Sequence, residues 1–162
     1  MISIIILTYN SELYIKKLLD SILERHKDSV KSKEIEIIVA DNDSKDGTVS
    51  IAMQFKNLVS VVNNGGNLGF AKGNNEAVKK AKGTDILFLN PDSEFFKGDI
   101  KKMLGILDTS GNGIVGGRIL TYKEKTELSC GKFYSFLNIL LLCFGLEEKF
   151  GVRFSPENSR YV

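Results

Sequence analysis

Asparagine and aspartate gather at four short places in the chain: Thr8-Tyr9-Asn10, Asp41-Asn42-Asp43, Asn63-Asn64 and Asn90-Pro91-Asp92. Side chains of these types hydrogen-bond hydroxyls and amides or ligate hard cations, which is the chemistry that holds a polar ligand. Taken singly, each group also suits a turn or a helix cap. Asp92 is the sharpest signal. A carboxylate behind a rigid proline, just after an apolar run, can reach a divalent cation shared with phosphate oxygens. Glycines at 65, 66 and 69 add a second signal. They permit close backbone approach and place N–H groups near a helix start, where partial positive charge favours a diphosphate.

Each polar group follows a short apolar run, and those runs are the elements that must carry it. Ile2 to Leu7 (ISIIIL) and Ile35 to Ala40 (IEIIVA) are β-branched and continuous, the pattern of strands buried on both faces. Val59 to Val62 and Asp85 to Leu89 read as two more strands, the last stopped by Pro91. Between them, Ile15, Leu18, Leu19, Ile22 and Leu23 share one helical face, with Asn10 or Ser11 placed to cap it. Val49, Ala52 and Phe55 mark a second helix, Ala71 to Ala81 a third, and Ile100, Met103, Leu104 and Leu107 a fourth. Strands alternating with helices predict an open, mostly parallel α/β sheet with helices on both faces and right-handed crossovers. Ligands of such sheets sit at the carboxyl ends of the strands. All four polar groups would then converge on one edge.

Beyond the fourth helix the pattern loosens. Gly113 to Tyr122 and Glu127 to Tyr134 read as hairpin strands around Lys123-Glu124-Lys125. The longest apolar run, Phe133 to Leu146, is well short of the about 20 residues that span a bilayer. A buried hairpin or helix suits it better than contact with a membrane surface.

Composition removes several classes. In 162 residues, 22 Lys and Arg against 20 Asp and Glu leave no basic face for nucleic acid, and 43% hydrophobic residues argue against disorder. The length suits one domain with a core that needs no disulfide scaffold. Two cysteines, Cys130 and Cys143, and an opening strand without a signal peptide point to a reducing cytoplasm, with Cys143 in the core. The first strand–helix turn, LTYNSE, lacks glycine, so the G-x-G-x-x-G fingerprint is absent, and no P-loop occurs. A calcium loop from Asp41 fails because Asp46 and Ala52 stand where glycine and glutamate are required. The only histidine, His26, falls at the polar end of the first helix and is expected at the surface rather than in a hydrolase triad.

The ordered set SIIILTYN, VADNDSKDGT, NNGGNLGFAKGNNEA and LFLNPDSEF resembles the donor-binding half of family 2 inverting glycosyltransferases of the GT-A fold, in particular the rhamnosyltransferase-like branch. The resemblance implies a nucleotide-sugar half over residues 1–117, with 118–162 supplying a partial acceptor-side hairpin and apolar segment of the same domain. It implies nucleotide-sugar contacts from Thr8, Tyr9, Asn10, Asp41, Asn42, Asn67, Gly69, Phe70, Asn74 and Asn90. Asp92 would correspond to the carboxylate that binds Mg2+ or Mn2+. Asp41-Asn42, where many relatives carry Asp-Asp, is similar to the branch using deoxythymidine-diphosphate sugars. The implied reaction moves a sugar from a dTDP- or UDP-linked donor to a glycan or lipid-linked acceptor with inversion. Its general base is expected beyond Val162, and without one the chain would be a nucleotide-sugar-binding module only. A cytoplasmic location at the inner membrane face and a homodimer covering the apolar segment are the accompanying expectations.

Overall fold

The computed structural model describes residues 1–110, 113–121, 123–126, 130, 131, 135–146, 149, 150, 153 and 154. They form two compact units, Met1–Gly98 and Asp99–Val162. The division falls ahead of the boundary expected at 117, so the fourth helix belongs to the second unit.

In the first unit β1 (Ile2–Thr8), β2 (Ile35–Asp41), β3 (Val59–Asn63) and β4 (Asp85–Leu89) make a wholly parallel sheet in the order β3-β2-β1-β4. The helices α1 (Ile15–Lys31), α2 (Thr48–Met53) and α3 (Phe70–Val78) are its crossovers. Side chains alternate across a strand. Ile5, Ile38 and Ala40 therefore share one face, where Ala77 of α3 closes a core flanked by Leu7, Val62, Val78 and Ile86. Ile4, Ile6, Ile37 and Val39 fill the other face, and all are buried. Burying each such Ile or Leu contributes roughly 1.5–3 kcal/mol, which is why apolar residues dominate the middle of both strands. Among the described residues β4 has a neighbour on one side only, and its Phe88 is half exposed.

Two expectations about α1 change. Neither Asn10 nor Ser11 caps it with a side chain. The Ser11 carbonyl accepts from the amides of Tyr14 and Ile15 at 3.0 Å each, because both polar side chains are engaged elsewhere. The helix also runs past Leu23 to Lys31, carrying His26 inward. His26 is buried, edge-on to the Phe95 ring at 5.1 Å between centroids, and is not a surface residue.

At the amino edge of the sheet, Glu36 of β2 ties the α3–β4 connection down. Its carboxylate accepts from Ser3 Oγ at 2.5 Å, from the Lys82 amide at 2.5 Å and from the Gly83 amide at 3.3 Å. Burial acts to raise the Glu36 carboxyl, but these hydrogen bonds outweigh it and hold the group below the usual carboxylate range. Gly83 has no room for a side chain, since a Cβ there would lie 2.6 Å from the Met1 carbonyl.

The second unit is described in pieces. α4 (Ile100–Ser110) begins at Asp99, whose carboxylate accepts the Lys101 amide at 2.8 Å. Among the described residues the expected hairpin is a turn: Glu124 has φ 57°, the Thr121 amide donates to the Lys125 carbonyl, and Leu120 and Thr126 bridge. Residues 114–119 form no strand, because nothing described pairs with them. β5 (Cys130–Gly131) pairs antiparallel with β6 (Arg153–Phe154) instead, and the rest of the expected second hairpin strand lies outside the described residues. α5 (Phe136–Cys143) is capped by Ser135, whose side chain accepts the Asn138 amide. It is neither a hairpin nor buried: Phe136, Leu137, Ile139 and Phe144 are exposed, and so is Cys143, which the apolar run had placed in the core. No helix among the described residues is long and apolar enough to cross a membrane.

A lowered carboxyl stabilises the fold above its unfolded pKa and loses that contribution as pH falls through the folded value. Glu36→Gln is expected to lower stability by about 1–2 kcal/mol near neutral pH. Urea denaturation should show the gap between wild type and variant closing below about pH 4.

Candidate functional site

Register builds the site. Thr8 stands opposite Asp41 and Asp41 opposite Asn63, so three strands end in one polar row. Leu89 pairs with Ile6, and Asn90-Pro91-Asp92 therefore leaves β4 at the same edge.

The centre of that row is closed. The Asp41 carboxylate accepts from Thr8 Oγ1 at 3.0 Å, from the Ser44 amide at 2.9 Å and from Ser44 Oγ at 2.5 Å. Ser44 Oγ in turn accepts the Asn10 amide at 2.9 Å, and Asn10 Oδ1 accepts the Lys45 amide at 2.8 Å. Asn10 and Asp43 both lie in the left-handed region, at φ 50° and 68°, where short polar side chains are tolerated best. Asp43 pairs with Lys45 at 2.7 Å. Further out, the Ser11 amide donates to Thr48 Oγ1, the Glu12 amide to Asp46 and the Gly47 amide to Glu12. Burial opposes the charge on Asp46, yet bonds from the Thr48 hydroxyl and amide and the Glu12 amide prevail and lower its pKa. The β1–α1 and β2–α2 loops are thus one clamped unit. Asn and Asp achieve this because they reach amides two residues on or across a short gap.

On the α3 side, Asn42 Nδ2 donates to the Gly69 carbonyl at 3.2 Å, and Asn42 Oδ1 accepts from Asn64 Nδ2 at 2.8 Å. Gly69, at φ 74°, turns the chain into α3. Asn63 and Asn67 accept the amides of Gly65 and Gly69, so both are turn residues as well as edge residues. Asn74 is buried and donates to the Phe70 carbonyl at 3.0 Å.

At the end of β4, the Asn90 carbonyl accepts both the amide and the hydroxyl of Ser93, and Asp92 points to solvent. α1 holds this loop from below. The Phe95 amide donates to Ser21 Oγ at 2.9 Å, the Phe95 ring meets His26, and Glu94 pairs with Lys17 at 2.8 Å.

The expected site residues therefore separate into two sets. Thr8, Asp41, Asn42 and Asn74 are buried and hydrogen-bonded within the chain. Tyr9, Asn10, Asn67, Gly69, Phe70, Asn90 and Asp92 are exposed on the edge. Ser21, His26, Ser44, Phe95 and Asn64 were not singled out from sequence for these supporting roles. Ser44 alone carried a local signal, three residues after Asp41 in a turn-rich loop.

Among the described residues no three His, Cys, Asp or Glu side chains come together as a metal-holding group. Asp92 fits a cation only in the manner of Mg2+, which takes one or two carboxylates and completes its shell with phosphate oxygens and water.

A parallel sheet whose carboxyl edge ends in such a row defines an α/β ligand-binding domain with its site at that edge. The sequence profile of glycosyl transferase family 2 matches residues 3–133, and the chain belongs to that family of transferases. Poly(ribitol-phosphate) β-N-acetylglucosaminyltransferase TarS of Staphylococcus aureus is 33% identical over 112 residues, which are 65% of this chain and 18% of TarS. The crystal structure of TarS residues 1–349 with UDP-GlcNAc superposes with a TM-score of 0.57 at 32% identity, over 67% of this chain and 31% of that one. A mannosyltransferase of Pyrobaculum calidifontis, solved with GDP-Man and Mn2+, gives 0.51 at 27% identity, over 56% of this chain and 27% of that one. The fold is that of these GT-A neighbours. The chain spans less than a third of each of these proteins.

The two sets of residues should behave differently on substitution. Asp41→Asn puts an amide among hydrogen-bond donors and should cost about 1–3 kcal/mol. At roughly 2–4 °C per kcal/mol for a chain of this size, thermal denaturation would resolve it. Tyr9→Ala, at an exposed position, should stay within about 0.5 kcal/mol of wild type in the same measurement.

Proposed function

We propose that the carboxyl edge binds a nucleotide-diphosphate sugar, UDP- or dTDP-linked, and that the domain serves transfer of the sugar with inversion to a glycan or lipid-linked acceptor. The observation that carries this reading is the exposed Asp92 at the end of β4, on the same edge as the exposed Tyr9 and Phe70. The complexes of family relatives with UDP-GlcNAc and GDP-Man support the donor class. The Asp41-Asn42 pair and the rhamnosyltransferase-like resemblance keep dTDP beside UDP as the nucleotide.

Tyr9 and Phe70 offer apolar faces to the nucleoside, which aromatic rings stack well. Asn10, Asn67 and Asn90 offer amide and carbonyl groups to ribose, phosphate and sugar hydroxyls. The α3 start, entered through Gly69, brings backbone N–H groups and the positive end of the helix dipole towards a diphosphate. Asp92, with the diphosphate and water, would hold Mg2+ or Mn2+. When bound, such an ion offsets the charge that grows on the leaving diphosphate. The clamped loops keep these groups in place before the donor arrives, so less ordering is needed on binding. A general base must take the proton of the acceptor hydroxyl. This reading assigns that base to the acceptor side and not to the donor edge.

Curated relatives in teichoic and teichuronic acid synthesis support cell-surface polysaccharide as the setting. The exposed apolar side chains of α5 favour peripheral contact at the inner membrane face, where lipid-linked acceptors lie. A homodimer covering the same helix is the other arrangement this reading allows.

Thermal denaturation with UDP, dTDP and GDP, each with and without Mn2+, tests the proposal. A ligand at 100 times its Kd adds about 2.7 kcal/mol of stability. UDP or dTDP should raise the Tm more than GDP, and Asp92→Ala should abolish the Mn2+-dependent part of the rise. No rise with any nucleotide, or an Mn2+-dependent rise that survives in Asp92→Ala, would overturn it.

A further inference from the structure

We propose that Asn42 is a positioning residue of the donor edge: its neutral amide locks the 63–73 segment to the sheet. The inference rests on the donor-site reading above and goes past it by assigning Asn42 a different task from its exposed neighbours.

Asn42 is 2% exposed. Both ends of its amide are used. Nδ2 donates to the Gly69 carbonyl at 3.2 Å, at the turn that opens α3, and Oδ1 accepts from Asn64 Nδ2 at 2.8 Å. Asn64 Nδ2 also lies 3.4 Å from the Gly73 carbonyl, and its backbone amide donates to the Asp41 carbonyl at 2.9 Å. Asn42 is itself anchored by its own amide to the Thr8 carbonyl at 2.8 Å. One residue thus links the end of β1, through its backbone amide, to the loop after β3 and the start of α3, through its side chain. These elements carry Tyr9, Asn67 and Phe70 to the edge.

The neighbouring helix is shaped around this amide. A Cβ on Gly73 would lie 2.9 Å from Asn42 Oδ1 and 3.0 Å from Nδ2, as well as 2.8 Å from Leu7 Cδ1. Glycine in a helix interior is otherwise costly, so its place here gives both the amide and Leu7 their room. The link also requires a donor. A carboxylate at 42 has only acceptors, and it would face the Gly69 carbonyl oxygen and sit beside the buried Asp41. A protonated carboxyl regains one O–H and can make the bond again.

That difference supplies the test. The affinity of UDP and dTDP for the full chain is measured by calorimetry from about pH 5 to about pH 8, for wild type and Asn42→Asp, and expressed as a ratio. Burial and the Asp41 charge push the new carboxyl above the ordinary range, so its titration falls inside that window. The variant should bind about tenfold more weakly at the alkaline end, a loss equal to 1.4 kcal/mol, and recover towards wild type at the acid end. Amide exchange of residues 63–73 in the ligand-free protein should follow the same course relative to wild type. Gly73→Ala provides a second arm that favours helix: it should weaken binding several-fold, and the added loss should shrink when Asn42→Ala is also present, leaving only the part due to the Leu7 contact. A ratio of one throughout, a loss that ignores pH, or unchanged binding in Gly73→Ala overturns the role of Asn42. Wild type that binds no nucleotide removes the donor-site reading instead, and exchange in the ligand-free variant then decides whether Asn42 positions the segment.

Discussion

Parallel pairing sets Thr8 beside Asp41 and Asp41 beside Asn63, and the rest of the edge depends on that row. Because β1 and β2 are apolar on both faces, their register is held by packing from two sides. A slip of one residue would turn every buried side chain to the opposite face. Parallel strands also require a crossover between them, so α1, α2 and α3 all begin at the same edge. The loops that start the helices are therefore adjacent in space although tens of residues apart in sequence.

Adjacency alone would leave polar groups stranded. Thr8, Asp41 and Asn42 lie out of water, where a donor or acceptor without a partner costs about 1–3 kcal/mol. Each is satisfied by a loop that it thereby holds. The edge is divided accordingly into a buried row that supports and an exposed row that can exchange water for a ligand. The same division recurs under Asp92, where Ser21 and the His26–Phe95 contact brace a loop whose carboxylate stays in solvent.

Legibility followed the strength of local signals. ISIIIL and IEIIVA could be read as buried strands because they are short, rich in β-branched residues and bounded by polar ones. The 113–122 segment misled, since its pattern suggests a strand but a strand exists only if a partner pairs with it; in the 127–134 segment Cys130 and Gly131 do form one, with Arg153 and Phe154 as the partner. Cys143 misled for a related reason: an apolar run predicts burial, and the eight-residue α5 leaves it exposed. His26 was placed outside because the apolar stripe seemed to end at Leu23, whereas Phe95, sixty-nine positions later, supplies the surface that buries it.

For the site, residue types and order alone determined that polar loops would close four parallel strands and that Asp92 would stand after the last of them. Period and turn chemistry act over a few residues, and a sequence displays them directly. Only the tertiary structure decided which of those polar residues face solvent and which face each other. Asp41 and Tyr9 look equally available in sequence, yet three hydrogen bonds consume the first and none of the core packing hides the second. Burial and hydrogen-bond satisfaction are properties of neighbours brought together by the register, and no local pattern contains them.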